Sequence, residues 1–398
     1  MVQENVARRQ LFGYAGAGGV GALAGALAGR WSVPEPPGPE VVRQSYSPHG
    51  THQAGIVTPA PAAHRLVAFT LKPGVDVAAL GRLMRVWSTD IALLMKGEGI
   101  LGDTAPELAQ ANVSLTVTVG LGPKVFTLDG LAGQAPDGFV EIPPMKHDRL
   151  QDRWSGGDLL LLIAADDTTS VEHAASRLIR DAAPFASVRW VQHAFWRTLD
   201  ATGSPVTGRN LFGQVDGTAN PAGTDRDATL WPTDPPAWFA GGTTLVVRRI
   251  EFELATWDKL VRDRQELVIG RNLANGAPLT GTKETDEMDF EAHEDGRLVI
   301  PADAHARRSH PRFNDGRRIF RRGLNYTHEE YADGEVKLSA GLVFMSFQAD
   351  IAKQFIPIQK NLDASDALNE WTHAIGSAVF AIPGGFAEDS WLARGLFS

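Results

Sequence analysis

The stretch HRLVAFTLKPGVDVAALGRLMRVWSTDIALLM, residues 64–95, joins a strand pattern to a helix pattern. Residues 64–71 combine apolar and β-branched side chains, which predicts a β-strand. Asp76 is a typical N-cap residue, and Leu80, Leu83 and Trp87 recur after it at helical spacing. The stretch therefore predicts a strand followed by an amphipathic helix that ends near residue 95.

The same alternation of strands and helices continues along the chain and is repeated in its second half. In the first half we expect three more strands, at 113–119, 158–165 and 187–196, and one more helix, at 170–183. In the second half we expect a strand at 243–254, a helix at 255–263, a strand at 338–348, helices at 351–361 and 364–374, and a strand at 377–382. This order predicts an α+β protein with two ferredoxin-like domains.

Two long stretches, residues 200–240 and 270–335, are rich in Gly, Pro, Asp and Asn and are predicted to be loops. Irregular stretches of this length in a compact protein are usually functional or disordered. The predicted domains are a first ferredoxin-like domain over 55–210 and a second over 211–398.

Composition excludes several classes of protein. The chain has 398 residues, 43% of them apolar and 21% charged, which is ordinary for a folded protein. It contains no cysteine, so disulfides, thiol nucleophiles, iron–sulfur clusters and cysteine-ligated zinc or haem are excluded. The net charge of −9 argues against nucleic acid as a partner, because phosphate binding needs a basic surface.

The N-terminus has the pattern of an export signal. Arg8 and Arg9 precede residues 10–29, which carry no charge and include seven glycines. The paired arginines match the twin-arginine signal, and the glycines disfavour the alternative of a permanent membrane helix. We therefore expect a signal peptide over 1–30, a proline-rich linker over 31–54, and export by the twin-arginine machinery to the periplasm or the exterior.

Residues 16–21 also fit the dinucleotide-binding pattern GxGxxG letter for letter. That fingerprint needs a preceding strand, a following helix and an acidic residue about twenty positions later, whereas here arginines precede the glycines and a proline-rich stretch follows them. We interpret these glycines as part of the signal peptide.

Three stretches of the second half could carry chemistry. Asp216 stands in a short stretch with glycine on both sides, at 213 and 217, where an ordinary Asp-Gly turn and a calcium loop are alternatives. The calcium loop is disfavoured, since the glycine and glutamate that it needs are missing. His305 and His310 lie in a loop that ends at Pro311, and taken alone each is more often a surface residue than a ligand.

The third stretch, residues 317–322, contains four arginines. A solvated face is the default interpretation of such a run, and a phosphate or nucleic-acid site is the alternative, which the acidic net charge disfavours. The apolar pair at 319–320 favours a half-buried chain that directs one arginine inward.

In this order, the three stretches resemble the dye-decolourising peroxidases. The resemblance rests on residues 213–218, 304–312 and 321–326, and it extends to 50–56, 269–271 and 354–359. It covers the chain from about residue 50 to 385, and exported members of that family carry a twin-arginine leader as well. It implies two ferredoxin-like domains with one b-type haem (heme b) per chain, bound in the second.

The resemblance also implies roles for individual residues. His305 would be the proximal ligand of the haem iron, and Asp216 the distal acid–base group, helped by the charge of Arg321. The remaining positions that would contact haem are Gly217, Thr218, Ala219, His310, Pro311, Arg312 and Arg321 itself. A carboxylate that accepts a hydrogen bond from His305 would make the imidazole electron-rich, and we expect Asp350 in that role.

The implied function is a peroxidase that reduces hydrogen peroxide and oxidises dyes or phenolic compounds. Because an aspartic acid ordinarily titrates near pH 4, activity should favour acidic pH. A bulky substrate would receive electrons through surface aromatic residues, for which the candidates are Trp190, Trp196, Trp371 and Tyr326, although packing in the core is the simpler role for each. A deferrochelatase-like protein that removes iron from haem and a non-enzymatic haem carrier are the alternatives. The sequence leaves a homo-oligomer open.

Overall fold

The computed structural model describes residues 44–398 except 198, 201–203, 205 and 333. The predicted signal peptide and residues 31–43 of the predicted linker lie outside the described residues. In the part that is described, no helix has both the length and the apolar character needed to cross a membrane. Gln53 is buried, and its side-chain amide donates to the carbonyls of Val119 and Pro383. The chain is therefore already packed against the body of the protein at this residue.

The first half of the chain forms a four-stranded sheet with two helices. Its elements are β1 (Ala63–Leu71), α1 (Val77–Met95), β2 (Thr116–Leu121), β3 (Leu159–Ala165), α2 (Thr168–Ala182) and β4 (Ala186–Phe195). The predicted N-cap of α1 is confirmed, because the Asp76 carboxylate accepts from the Ala79 amide at 2.7 Å. The strand order is β4-β1-β3-β2, the ferredoxin-like order.

The second half repeats this sheet with shorter helices. Its elements are α3 (Gly223–Leu230), β5 (Thr243–Phe252), α4 (Leu254–Trp257), α5 (Arg262–Ile269), a hairpin of β6 (His293–Glu294) and β7 (Arg297–Leu298), α6 (His305–Ser309), β8 (Phe320–Ala332), β9 (Glu335–Gln348), a π-helical turn (Ile351–Phe355), α7 (Ile356–Ser365), β10 (Thr372–Ile382) and α8 (Arg394–Phe397). The strand order is β10-β5-β9-β8, which matches that of the first half.

The two sheets join into one closed antiparallel sheet of eight strands. Each seam is a single residue pair: Leu121 with Ala381 between β2 and β10, and Phe195 with Asn325 between β4 and β8. The predicted fold class, α+β with two ferredoxin-like units, is confirmed. The domain boundaries remain a prediction.

Strands β1 and β3 are rich in apolar residues on both faces because both of their faces are buried. In β1, Val67 and Phe69 pack towards α1 and α2, whereas Leu66 and Ala68 face the interior of the closed sheet. The residues of β3 divide between the same two clusters in alternation. Side chains that alternate along a strand therefore supply two cores.

Three elements differ from the sequence-based prediction. The second predicted loop contains β8, a 13-residue strand. In place of the helix expected at 255–263, the chain has the short α4, a four-residue connection and the start of α5. The helix expected at 364–374 is replaced by the end of α7, a 3₁₀ turn at Ala367–Glu370 and the start of β10. In β8, Arg322 lies inside the closed sheet and donates to the carbonyls of Ile56 and Thr58. Partners that are distant in sequence therefore stabilise a strand whose charged residues interrupt the apolar pattern expected of a strand.

Candidate active site

His305 is the first residue of α6, a short helix that packs against α5 and α7. Its Nδ1 donates to the Asp366 carboxylate, with 2.6 Å between Nδ1 and Oδ2. Because Nδ1 carries the proton of that bond, Nε2 is the ring nitrogen left for a ligand. Asp366 is well placed for this contact, since it begins the 3₁₀ turn before β10 and also accepts from the Leu368 amide.

The pKa of His305 reflects these surroundings. Burial by itself lowers the pKa, but the charge and hydrogen bond of Asp366 more than offset burial, so the net direction is upward. The Arg321 charge lowers the pKa and the Asp216 charge raises it by smaller amounts. Both of those side chains are therefore close enough to His305 to act on it electrostatically.

The expectation that Asp350 bonds to His305 is wrong. Asp350 instead caps the π-helical turn, where its carboxylate accepts from the Lys353 amide and pairs with the Lys353 ammonium at 3.0 Å. The chain runs through that turn and the whole of α7 before it returns to His305. The carboxylate that meets the histidine is consequently at the C-terminal end of α7, not at the end of β9.

Asp216 and Arg321 form a second pair in the same cavity. The Arg321 guanidinium donates to the Asp216 carboxylate at 3.2 Å, and both side chains are mostly buried. Asn220 links the two backbones, since its amide group bonds to both the N–H and the C=O of Arg321. Gly323 leaves room for the carboxylate, because a Cβ there would lie 3.3 Å from Asp216 Oδ2.

His305, Asp216 and Arg321 line one cavity, in which the volume open to the centres of water molecules is about 240 Å³. The cavity lies against the outer face of the second-half sheet, beneath α6 and α7. Apolar side chains from the strands and from α7 form much of its lining: Ile250, Leu342, Phe344, Phe355, Ile358 and Leu362. Five arginines also reach it: Arg248, Arg271, Arg317, Arg318 and Arg321.

Most of the predicted site residues meet in this cavity. Those that line it are Asp216, Gly217, Thr218, Ala219, His305, His310, Pro311 and Arg321. The arginine run does enter the protein, but the expectation of a single inward arginine is wrong: Arg317, Arg318 and Arg321 line the cavity, and Arg322 is buried inside the closed sheet. Sequence reasoning missed Asp366, and it assigned no role to Arg271, although residues 269–271 belong to the matched motifs.

Arg312 is the exception among the predicted haem contacts. Its side chain is exposed and pairs with Glu291 at 3.0 Å, and it does not line the cavity. The neighbouring His310 does line the cavity, and its Nδ1 accepts from the Arg312 amide. Burial first, and then the charge of Arg318, lowers the pKa of His310.

The four aromatic candidates for electron transfer are not at the surface. Trp190, Trp196, Trp371 and Tyr326 are all buried in the same hydrophobic cluster. Trp371 packs edge-to-face against Trp257, with 5.4 Å between ring centroids. Packing in the core is therefore the role that the structure shows for all four.

Comparison with known proteins places this geometry in a family. The model of the Dyp-type peroxidase N-terminal domain matches residues 53–196, and that of the C-terminal domain matches residues 207–387. The chain belongs to the Dyp-type peroxidases. It is accordingly an oxidoreductase of the haem-peroxidase class, and the predicted family is confirmed.

Individual relatives agree with this assignment. A dye-decolorizing peroxidase of Thermobifida fusca is 40% identical over 349 residues, which is 83% of this chain and 80% of that protein. A deferrochelatase of Yersinia pseudotuberculosis is 34% identical, over 87% of this chain and 84% of that protein. The crystal structure of a DyP-type peroxidase from Cellulomonas bogoriensis superposes with a TM-score of 0.85 at 44% identity, and covers 91% of this chain and 99% of that one.

The side chains around the cavity fit a haem. The Asp366 contact fixes His305 through Nδ1, which leaves Nε2 for iron. Apolar walls suit the faces of a porphyrin, and the arginines suit its carboxylate groups. Of the two histidines that line the cavity, His305 is the one that a carboxylate orients, and one imidazole ligand is a common arrangement for haem peroxidases.

Proposed function

We propose that the chain binds one b-type haem through His305 and uses Asp216 and Arg321 to activate hydrogen peroxide, at the expense of a dye or phenolic reducing substrate. The observation that carries the proposal is the meeting of two pairs, His305 with Asp366 and Asp216 with Arg321, in one cavity. A histidine–carboxylate pair suits a metal ligand, and a carboxylate–arginine pair suits proton transfer beside an anion. Haem, when bound, supplies the iron and the redox chemistry.

Asp216 would move the proton that peroxide activation requires. Its carboxylate takes a proton from one peroxide oxygen and returns it to the other, so that the leaving oxygen departs as water. Positioned acid–base groups contribute typically about 10²–10⁴-fold to a rate. Only Asp216 Oδ1 has a hydrogen bond to Arg321, which leaves Oδ2 beside Gly323 to act on the proton.

Arg321 would hold Asp216 and stabilise negative charge on peroxide. A guanidinium keeps its charge throughout the working pH range and has several N–H donors. One donor holds Asp216, and Asn220 fixes the arginine backbone on both sides. The donors of the pair are therefore preorganised, the condition under which electrostatic stabilisation is strongest.

The test compares Asp216→Asn with Asp225→Asn, an exposed aspartate in the same part of the chain. With haem content held equal, Asp216→Asn should slow the reaction with one equivalent of peroxide by about 10²–10⁴-fold, followed through the haem absorbance. Asp225→Asn should react at the wild-type rate. A rapid peroxide reaction in Asp216→Asn would reject the assigned role.

Removal of iron from haem is the second candidate function, favoured by the deferrochelatase of Yersinia pseudotuberculosis at 34% identity. It predicts release of iron-free porphyrin from the holoprotein under anaerobic conditions, detected by porphyrin fluorescence. The peroxidase proposal predicts that the haem stays intact there and that its spectrum changes only when peroxide is added.

A bulky substrate that cannot enter the cavity would need a route for its electrons through the protein. We propose that any transfer beyond the cavity begins at Trp371, which precedes the cavity-lining Thr372 in sequence. Trp371→Phe should then slow oxidation of a bulky dye more than that of a small phenol. Equal effects on both substrates would assign Trp371 to packing alone.

We also propose that residues 1–30 direct export by the twin-arginine machinery to the periplasm or the exterior. The sequence Arg8-Arg9 at the start of the uncharged segment supports this. Lysine at both positions should keep the protein in the cytoplasm, as cell fractionation would show.

The assembly state, with a homo-oligomer among the alternatives, is measured by light scattering of the purified holoprotein.

A further inference from the structure

Behind Asp216, the loop that leads from α5 to the β6–β7 hairpin packs closely on residues 207–218. Gly276 approaches Val215 so closely that a Cβ would lie 2.9 Å from the Val215 Cβ. Arg209 crosses the same boundary and donates to the carbonyls of Leu273 and Ala274. The two segments thus form one supporting layer on the Asp216 side of the cavity.

Glu284 holds this layer together through one carboxylate oxygen. Its Oε1 accepts from Thr218 Oγ1 and from Thr207 Oγ1, both at 2.8 Å. Thr218 lines the cavity two residues after Asp216, whereas Thr207 is exposed and does not line the cavity. One acceptor therefore connects a solvent-facing hydroxyl to a hydroxyl of the active site.

Glu284 also contacts Arg271, one of the arginines that line the cavity. Its backbone carbonyl accepts from Arg271 Nη1 at 3.0 Å, and its negative charge acts on the Arg271 guanidinium. Arg271 is in turn close enough to Arg321 for the two positive charges to repel. A carboxylate at Glu284 therefore offsets part of the positive charge behind the Asp216–Arg321 pair.

The turn after Asp216 needs such support at both ends. Gly217 has φ +121°, a conformation that other residues rarely adopt, and Asn220 fixes the far end of the turn to Arg321. Between these two residues, the Thr218 side chain donates to Glu284. Without that bond, the Asp216 end of the turn would be held only by the backbone bond from Asp216 N–H to Gly208 C=O and by the contact with Arg321.

We propose that Glu284 is a positioning residue that fixes Asp216 through Thr218. The inference rests on the function proposed for Asp216. Loss of this support lets the turn move away from Arg321, so that ligands that need both Asp216 and Arg321 bind less well. His305 is unaffected, because it lies on α6.

The test uses the two threonines as a matched pair. Thr218→Val and Thr207→Val each remove one hydrogen bond to the same Glu284 oxygen, but only the first frees the turn. In the haem-loaded protein we expect Glu284→Ala and Thr218→Val to weaken fluoride binding about tenfold, the size of a lost hydrogen bond to a charged group. Thr207→Val should leave the dissociation constant of fluoride unchanged.

Two further readouts separate positioning from general loss of structure. Amide hydrogen exchange over residues 216–220 should become faster in Glu284→Ala and Thr218→Val, with exchange in α1 unchanged. Glu284→Gln keeps an acceptor oxygen in place, so it should restore fluoride affinity to within a few-fold of wild type. The proposal would be overturned if Thr218→Val, Thr207→Val and Glu284→Ala all bound fluoride as tightly as the wild type. It would also be overturned if Glu284→Gln failed to restore the affinity.

The experiment also separates this inference from the function on which it rests. If Asp216→Asn reacts rapidly with peroxide, the function assigned to Asp216 fails, whatever Glu284 does. If Asp216→Asn is slow but Glu284→Ala matches Thr207→Val in fluoride affinity and in exchange, only the role of Glu284 fails.

Discussion

The outer faces of the two halves of the closed sheet are covered in different ways. In the first half, α1 with 19 residues and α2 with 15 residues lie on the sheet, and their apolar faces join those of β1, β2 and β3 in one core. In the second half, the covering helices are short, with α7 at 10 residues, and long connections run between them. The same strand order thus supports a closely packed helical layer in the first half, which we call the filled half, and the cavity in the second half.

This difference shows how a repeated sheet can divide stability from chemistry. The inner sides of the two halves share one hydrophobic cluster, so both contribute to the common interior. On the outer side, β5 and β9 direct Arg248, Ile250, Leu342 and Phe344 into the cavity, whereas β1 and β3 direct leucine, valine and phenylalanine into a closed core. The chemistry therefore lies on the half whose helices leave room for it.

The largest expected effect comes from removing His305, the proposed haem ligand. His305→Ala should abolish stoichiometric haem binding and peroxidase activity, because His305 is the imidazole that the Asp366 pair holds in the cavity. The haem-to-protein ratio from the absorbance spectrum measures this, and added imidazole should restore part of the binding.

The control is His293→Ala, in the exposed β6–β7 hairpin. It should bind haem like the wild type. A wild-type haem-to-protein ratio in His305→Ala would contradict the assignment and remove the functional contrast between the two halves.

The next effect concerns the filled half. Leu83→Ala should lower the free energy of unfolding by about 2–5 kcal/mol, since Leu83 is fully buried in the core between α1 and the sheet. Activity per bound haem should not change, because that core does not reach the cavity. Denaturant unfolding and a peroxide assay at equal haem content measure the two quantities.

Val86→Ala, on the exposed side of the same helix, is the matched control and should change stability little. A loss of specific activity in Leu83→Ala similar to its loss of stability would show that the two halves are not functionally separate.

A smaller effect is expected from the carboxylate behind the histidine. Asp366→Asn keeps an oxygen that accepts from His305 Nδ1 but removes the negative charge, so the imidazole donates less electron density. We expect activity to fall about 10–100-fold and the midpoint reduction potential of the haem iron to rise.

Asp350→Asn removes charge from a helix cap instead, and should leave that potential unchanged. An equal rise in both variants would mean that the potential responds to overall charge and not to the contact with His305.

The smallest expected effect is a pH dependence of stability that arises from Asp181, a residue of α2 in the filled half. Burial first, and then the neighbouring Asp90, raises the pKa of Asp181 from 3.8 to about 7. Because the folded protein binds this proton more tightly than the unfolded chain, the associated stability is complete below about pH 4 and is lost as pH rises towards 7. Asp181→Asn should therefore raise Tm relative to wild type at pH 8 but not at pH 4, by calorimetry. The same shift at both pH values would refute the explanation.

Parts of the fold were predictable because their patterns are local. The leucine run of β3 and the Asp76 cap of α1 each identify an element from adjacent residues alone, and both were confirmed. Strand β8 was missed because Arg321 and Arg322 break its apolar pattern. Their partners, Asp216 for one and the carbonyls of residues 56 and 58 for the other, are more than 100 positions away in the chain.

The candidate site shows the same limit. His305, Asp216 and Arg321 were identified by motifs, and the structure brings all three to one cavity. Asp366 was not identified, since nothing in the neighbourhood of either residue indicates that α7 returns the chain to His305. The same holds for Glu284, which meets Thr218 only through the packing of two loops.

The sequence by itself determined the family, the doubled α+β order of elements and the residue types that carry the chemistry, because periodicity, capping and motifs depend on residues close together in the chain. Only the tertiary structure decided which carboxylate meets His305, which arginines face the cavity, and that Arg312 and the four aromatic candidates lie elsewhere. These depend on where separate segments meet. That is set by the closure of the sheet and the packing of α6 and α7 upon it, which no single stretch of sequence specifies.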